Sequence, residues 1–358
     1  MSFWNGKKVL ITGHTGFKGA WLALWLVRNG ARVTGVALEP ETTPSLFDQL
    51  RLAEELDHRI LDIRDGDAMR EVVAQTKPDA VFHLAAQALV RRGYREPVAT
   101  WATNVMGTLN VMEGLRCLDK PCAVVLATTD KVYENQGWSY GYRESDRLGG
   151  YDPYSASKAA AEIAIDCWRR SYFDPAGPIR VAAVRAGNVI GGGDWSEDRI
   201  VPDIVRAFSR NQPIRLRNPS ATRPWQHVLE PLGGYMLLAE RMADEATGAR
   251  HASAYNFGPD SDSERSVREL VEEALRHWPG TWEDVSSADQ PHEAARLALS
   301  IDRARAELQW APVWDFARAI AETISWYRTS LDATPDAIRI LTLSNIEAYE
   351  ASLSGLRS

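Results

Sequence analysis

The chain predicts an α/β protein built on a doubly wound parallel sheet, with a smaller, mixed α/β substrate domain. Three observations carry this. Short apolar runs alternate with helix-patterned stretches through the first half. Those runs are continuous rather than polar-alternating, as expected of strands buried on both faces. The first run leads directly into a glycine-rich turn, and the character of the chain changes after Gly187.

Taken in order, Lys8-Val-Leu-Ile-Thr12 reads as the first strand. Phe17, Ala20, Trp21, Leu24 and Ala31 follow at helical spacing. Arg32–Leu38, Arg59–Ile63, Ala80–Leu84, Cys122–Thr128 and Ile179–Val184 read as five further strands. Gly191-Gly-Gly193 reads as a flexible break, followed by an Arg- and Pro-rich stretch to Pro224. Residues 226–240 return to a helical pattern, and Ala254–Phe257 adds one more strand to the sheet. From Ser266 onward the pattern is helical. The expected division is residues 1–190 plus about 226–258 in the large domain. The small one takes about 191–225 plus 259–358.

The 358 residues suit one large domain with a small partner. A net charge of −7 argues against a nucleic-acid partner, which needs a basic surplus. No apolar run approaches the roughly 18 residues of a membrane span. Met1 to Gly6 is polar and aromatic, unlike an export signal. Cys117, Cys122 and Cys167 lack metal-ligand spacing, and so sparse a set suits a reducing, cytoplasmic compartment. No metal is expected.

Thr12-Gly-His-Thr-Gly-Phe-Lys-Gly19 lies between the first strand and helix, with Gly13, Gly16 and Gly19 spaced G-x-x-G-x-x-G. Glycines there let backbone N–H groups approach a pyrophosphate, and the helix N-terminus favours the anion. This is the dinucleotide loop of a Rossmann-type domain. Lys18 either adds charge near the phosphates or is a solvated helix residue. Glu39 is the acid nearest the end of the second strand and selects NAD over NADP. Asp62, after the third strand, is placed either to meet the adenine amino group or to cap the next turn.

Tyr154-Ser-Ala-Ser-Lys158 puts a phenol and an ammonium on one helix face. A nearby ammonium favours the phenolate, so Tyr154 is expected with a lowered pKa. That pair suits hydride chemistry at a carbinol carbon. Thr128-Thr-Asp-Lys131 ends the fifth strand, on the side of the sheet that faces the ligand crevice. It is read either as ligand-facing or as a turn in which Asp130 bonds backbone N–H groups. Arg210, Arg215, Arg217 and Arg223 crowd one segment of an acidic chain. In Pro213–Arg217, strand alternation puts Ile214 and Leu216 on one face and both arginines on the other. Guanidinium groups suit phosphate oxygens, although at least half of the four arginines are expected to be plain surface residues.

These stretches, with His83-Leu-Ala-Ala86, Asn104 and Arg185-Ala-Gly-Asn188, resemble the extended short-chain dehydrogenase/reductase superfamily. The resemblance implies that Gly13, Thr15, Gly16, Phe17, Gly19, Asp62, Ile63, Leu84, Ala85, Ala86 and Asn104 hold NAD, with Tyr154 and Lys158 at its nicotinamide end. It implies Tyr154 as acid/base, Lys158 as its partner, Thr129 on the sugar O4 and Asn188 at the sugar-nucleotide diphosphate, and the crowding of Arg215, Arg217 and Arg223 makes them candidates to bind the same diphosphate. Within the superfamily the chain looks like a nucleotide-sugar 4,6-dehydratase. Lys131 stands where the dTDP-glucose and GDP-mannose branches carry Glu, which is similar to the CDP-glucose branch. Gly187–Trp195, Arg223–Val228 and His292-Glu-Ala294 point the same way.

The reaction so implied begins with C4 oxidation, as Tyr154 takes the O4 proton. Water is then lost across C5 and C6, with Asp130 protonating O6, and hydride returns to C6. Lys131 is either the C5 base or a cation stabilising the enolate. A 4-epimerase needs only Tyr154, Lys158 and Thr129, and a cofactor-binding regulator needs no intact Tyr-Lys pair. CDP-glucose is the expected substrate, dTDP-glucose and GDP-mannose the alternatives. A homodimer or homotetramer is expected from the resemblance alone.

Overall fold

The computed structural model describes residues 2–174, 177–286 and 297–356. Seven strands form one sheet: β1 (Lys8–Thr12), β2 (Arg32–Ala37), β3 (Asp57–Ile60), β4 (Ala80–His83), β5 (Cys122–Ala127), β6 (Ile179–Ala186) and β7 (Ala254–Phe257). Their order is β7-β6-β5-β4-β1-β2-β3, and every pair is parallel. Strand order reverses between β1 and β4, where ligand crevices open at the carboxyl ends of doubly wound sheets.

The continuous apolar strands arise because both sheet faces are covered. Val9 and Ile11 pack in one core with Trp21, Leu24 and Leu232. Leu10, between them, packs in the other with Val72, Val111 and Val181. Each such aliphatic side chain contributes roughly 1.5–3 kcal/mol when fully buried. On the first face lie α1 (Phe17–Arg28) and, later in the chain, Leu229–Ala243. The second face carries α2 (Gly66–Thr76), with Val90–Arg95 (α3) near the sheet's carboxyl edge, then α4 (Gly107–Leu115) and α5 (Pro153–Tyr172).

The third strand lies at Asp57–Ile60 rather than 59–63. Leu61 N–H still donates to Ala37 O at 2.9 Å, but the Asp62 carboxylate accepts from Arg64 N–H at 2.9 Å and turns the chain away. Asp62 and Ile63 therefore sit just beyond the ladder, at its carboxyl edge.

The second lobe is assembled from small pieces. Helix α6 (Ile200–Phe208) is followed by Ile214–Leu216, which pairs in parallel with Trp282–Asp284. The segment Thr222–Pro224 pairs antiparallel with Glu264–Ser266. Helix α7 (Leu229–Ala243) returns the chain to the large domain, and α8 (Val267–His277) starts from a Ser266–Glu269 capping box. The strand at Trp282–Asp284 interrupts what the sequence presents as continuously helical.

Two segments differ from expectation. The glycine run is packed, not a free break. A Cβ on Gly192 would meet the Trp326 ring at 2.0 Å, and Trp21 Nε1 donates to Gly192 O at 2.9 Å. The run is glycine because an indole occupies the space of a side chain. The C-terminal helices α9 (Phe316–Ser330) and α10 (Pro335–Leu356) were expected in the second lobe. Helix α10 instead packs on α1: Tyr349 stacks edge-on to Trp25 at 5.7 Å, and Arg28 pairs with Glu350 at 2.6 Å. Trp25 is thereby almost wholly buried on what would otherwise be an outer face. Among the described residues no helix is long and apolar enough to cross a membrane.

Candidate active site

The loop between β1 and α1 is shaped by its glycines. Gly13 has φ +80°, and a Cβ there would lie 2.6 Å from Ala85 N. A Cβ on Gly19 would lie 2.1 Å from Gly13 O. Gly16 caps α1 without a side chain and meets little besides Gly13 O at 3.4 Å, so its face is open. An open helix N-terminus lined by backbone N–H groups is a fit for a pyrophosphate. His14, between the glycines, is buried with Nε2 2.6 Å from His58 Nδ1. Burial first, and then His58, lower its pKa to about 4.

The loop opens into a cleft of about 1620 Å³ between the sheet edge and the second lobe. Single-ligand pockets run to roughly 1,000 Å³, so this cleft has room for a dinucleotide and a second nucleotide together. Gly13, Thr15, Gly16, Phe17 and Gly19 line it at the loop, with Glu39, Asp62 and Ile63 beyond β2 and β3. Leu84, Ala85 and Ala86 line it after β4. Asp62 is also the turn cap, ion-paired to Arg64 at 2.5 Å.

Asn104 departs from expectation, for it does not line the cleft. It is fully buried behind it, accepting from Gln87 N–H at 2.9 Å and donating to Gln87 O at 3.0 Å and Ser157 Oγ at 2.9 Å. Its amide is consumed in tying the chain after β4 to α5.

The chemistry-bearing groups come from the end of β5 and the start of α5. Asp152 caps α5 by accepting from Ser155 N–H at 3.0 Å, and Pro153 occupies its first turn. Tyr154 and Lys158 then fall one turn apart, both buried at the cleft floor. Thr129 hydrogen-bonds Tyr154 and also donates to Asp130 Oδ1 at 2.9 Å. Lys131 Nζ lies 3.4 Å from the same oxygen. Asp130 has no solvent exposure, and among the described residues its Oδ2 has no partner. That orphaned acceptor separates this turn from one in which Asp130 bonds backbone N–H groups. A buried carboxylate oxygen facing a cleft awaits a donor, such as a substrate hydroxyl.

The electrostatics differ from the sequence expectation at Tyr154. Its pKa is pushed up to about 12, chiefly by burial; Thr129 and Arg199 oppose this, while Asp130 adds to it. Lys158 is not among the largest influences on it; its ammonium donates to Ala127 O, the last residue of β5, at 3.0 Å. Burial lowers Lys158 itself to about 8, with Glu162 opposing.

Asn188, Arg215, Arg217 and Arg223 also line the cleft, with Gly187, next to Asn188, close to Asp130 Oδ2. Asn188 Oδ1 is buried and has no partner among the described residues. Ile214 and Leu216 are buried and Arg215 exposed, as strand alternation requires. Arg215 pairs with Glu283 at 3.2 Å and Arg217 with Asp198 at 2.9 Å, while Arg223 is buried and donates to Thr222 O at 2.9 Å. Arg210 is exposed and outside the cleft. The His292-Glu-Ala294 stretch lies outside the described residues.

Sequence reasoning missed Arg199. It caps α6, pairs with Asp194 at 2.7 Å, and reaches the neighbourhood of Tyr154 from the second lobe. No spacing rule marks it; its one signal is a basic residue just beyond the glycine run. Lys18 is half-buried and belongs with the chemistry rather than with Arg215 and Arg217. Its electrical neighbours are Arg199, Asp130, Lys158 and Lys131, and burial, then Arg199, lower it to about 8.

A family model described as GDP-mannose 4,6 dehydratase matches residues 10–323. The chain belongs to this family. It is 45% identical over 333 residues to a CDP-glucose 4,6-dehydratase of Salmonella typhimurium, covering 91% of this chain and 92% of that protein. Its fold is that of a dTDP-glucose 4,6-dehydratase double mutant from Streptomyces venezuelae solved with NAD, at TM-score 0.77, 22% identity, and coverage of 92% and 99% of the two chains. A UDP-glucose 4-epimerase from Thermus thermophilus in complex with NAD matches equally, at TM-score 0.77 and 23% identity, over 90% of this chain and 99% of that one. That dehydratase and that epimerase thus share one fold with this chain, so side chains in the cleft must distinguish their activities.

Proposed function

We propose that the chain is an NAD-dependent 4,6-dehydratase that converts CDP-D-glucose to CDP-4-keto-6-deoxy-D-glucose and water. The observation that carries this is the Asp130-Lys131 pair. It stands beside Tyr154 in the cleft, and the free Oδ2 of Asp130 is a second acid/base group that C4 oxidation alone does not require. Close identity with a CDP-glucose enzyme supports the cytidine nucleotide.

NAD, when bound, supplies a hydride acceptor for C4 and a hydride donor for C6. Gly13, Gly16 and Gly19 would hold its pyrophosphate, and Glu39 and Asp62 lie toward its adenosine end. Tyr154 takes the O4 proton, with Thr129 holding that oxygen in place. Asp130 delivers a proton to O6 as water leaves. Lys131, as a free amine, takes the C5 proton, and the ammonium so formed neutralises the charge that builds on the C4 oxygen. Asn188, Arg217 and Arg223 would hold the diphosphate. On this reading residues 191–225 and 259–286 form the nucleotide-sugar lobe.

Two copies are proposed to associate through the face formed by Pro97–Trp101 and α5. Val98, Trp101 and Ile163 are exposed there, and Val98 is 82% exposed. Light scattering of the purified protein reads its mass directly.

The test is incubation with NAD and, separately, CDP-glucose, dTDP-glucose, GDP-mannose and UDP-glucose, with mass spectrometry for loss of water. Loss from CDP-glucose alone is expected. Loss from another nucleotide sugar sinks the cytidine assignment. An unchanged mass with inverted C4 configuration makes the chain an epimerase.

A further inference from the structure

Behind the reacting groups lies a buried ion pair that the proposed mechanism does not use. Glu162 stands on α5 one turn after Lys158, two after Tyr154. It receives Arg185 Nε at 2.8 Å on one oxygen and Arg185 Nη2 at 2.9 Å on the other. Both side chains are at most 4% exposed. Arg185 lies on β6, next to β5, and its remaining amine donates to Tyr133 OH at 2.7 Å and Glu144 O at 3.1 Å.

Glu162 has one further partner. Thr128 Oγ1 donates to it at 2.5 Å. Thr128 directly precedes Thr129 and Asp130. The residue before it, Ala127, gives its carbonyl to Lys158 at 3.0 Å. Consecutive residues at the end of β5 are therefore gripped by consecutive turns of α5. These two pins set where Thr129 and Asp130 stand relative to Tyr154.

The charges around Lys158 make Glu162 more than a brace. Tyr154 and Glu162 share its helix, Lys18 approaches from α1, and buried neutral His83 from the end of β4. Asp130 gives one oxygen, Oδ1, to Thr129 and Lys131. Glu162 is the carboxylate that favours the charged form of Lys158, against desolvation.

We propose that Glu162, seated by Arg185, is a positioning residue for the dehydration, holding Lys158 as an ammonium and the Thr129-Asp130 strand end in register with Tyr154. This rests on the 4,6-dehydratase reading. If the parent enzyme releases no water from any nucleotide sugar, that reading fails; if it does, the variants test this inference alone.

The experiment is the pH profile of kcat and KM for Glu162→Gln with saturating NAD. Loss of the carboxylate should move the alkaline limb of kcat, where Lys158 deprotonates, down by about one pH unit. KM should change less than about threefold, because no substrate contact is removed. Glu162→Asp should restore part of the limb. Thr128→Val removes only the strand pin, so it should lower kcat without moving the limb. An unmoved limb in Glu162→Gln, with kcat falling only in step with folded fraction, overturns the proposal. If the single variant does not fold, Glu162→Gln with Arg185→Met removes both charges together and is read by the same limb.

Discussion

Two segments lining the cleft are built differently. At the sheet edge, Thr129, Asp130, Tyr154 and Lys158 are buried, seated on one strand end and one helix turn. In the second segment, Arg215 and Arg217 lie on or beside a three-residue strand, exposed or half-exposed, and are paired to acids elsewhere in the chain. Asp198, which holds Arg217, also lies 3.8 Å from Arg91 on the large domain. The contrast teaches that the groups at the sheet edge are preorganised by burial, while the arginines of the second segment are held only by surface ion pairs that a ligand could replace. Groups fixed in low dielectric act strongly on a transition state, whereas exposed pairs contribute at most about 1 kcal/mol each to stability.

Substitutions in the two segments should therefore separate cleanly in kcat and KM. The largest effect is expected from Tyr154→Phe, which removes the O4 acid/base and should lower kcat by roughly 10³-fold. Steady-state water release measures it. Asp130→Asn comes next, with a loss of roughly 10²-fold in water release while C4 oxidation continues. A reduced-nicotinamide transient in stopped flow would show that split; its absence would put Asp130 in the first step. Lys131→Met should likewise oxidise C4 and stall before elimination, and a normal elimination rate would remove Lys131 from that step. In the second segment, Arg217→Ala should raise KM by about tenfold with kcat nearly unchanged, since a uniform binding contact is lost. A kcat loss as large as that of Asp130→Asn would erase the distinction between the two segments.

Stability against pH sharpens the contrast further, because the large domain buries neutral histidines. Burial holds His14 at about 4 and His83 and His227 at about 3, below their ordinary 6.5. As pH falls below 6.5 the unfolded chain takes up protons that the folded chain refuses, so stability is lost on acidification. Glu230 acts oppositely: buried against Trp314 N–H and Tyr349 OH, it is raised to about 7 and gains stability as it protonates. The deeply buried His14, His83 and His227 outweigh Glu230, so stability should fall on balance as pH drops from about 6 to about 4.5, measurable by urea unfolding. A flat profile would mean that the histidines are not buried as described.

Much of the large domain was legible along the chain. The seven strands were placed within a few residues because sheets buried on both faces need unbroken apolar runs. The third strand slipped because Asp62 ends it with a side-chain turn, a local bond that apolar patterning does not register. The glycine loop and the Tyr154–Lys158 pair were readable because each lies within one turn or helix. Asn104 was misplaced because an amide that binds a ligand and one that ties two loops look alike in sequence. Arg199 was missed because nothing near it in the chain says that it will face Tyr154.

By itself the sequence determined the class of sheet, the glycine loop between its first strand and helix, and the helix face that carries the phenol and ammonium. Each depends on spacings of a few residues, and period and turn chemistry act over that range. Tertiary structure decided that Asp130 keeps one oxygen free and that Glu162 joins β5, β6 and α5. It also decided that Lys158 serves a strand carbonyl and that the last helix covers α1. Those outcomes depend on burial and on partners far apart in the chain, and only the packed molecule brings such groups within hydrogen-bonding distance.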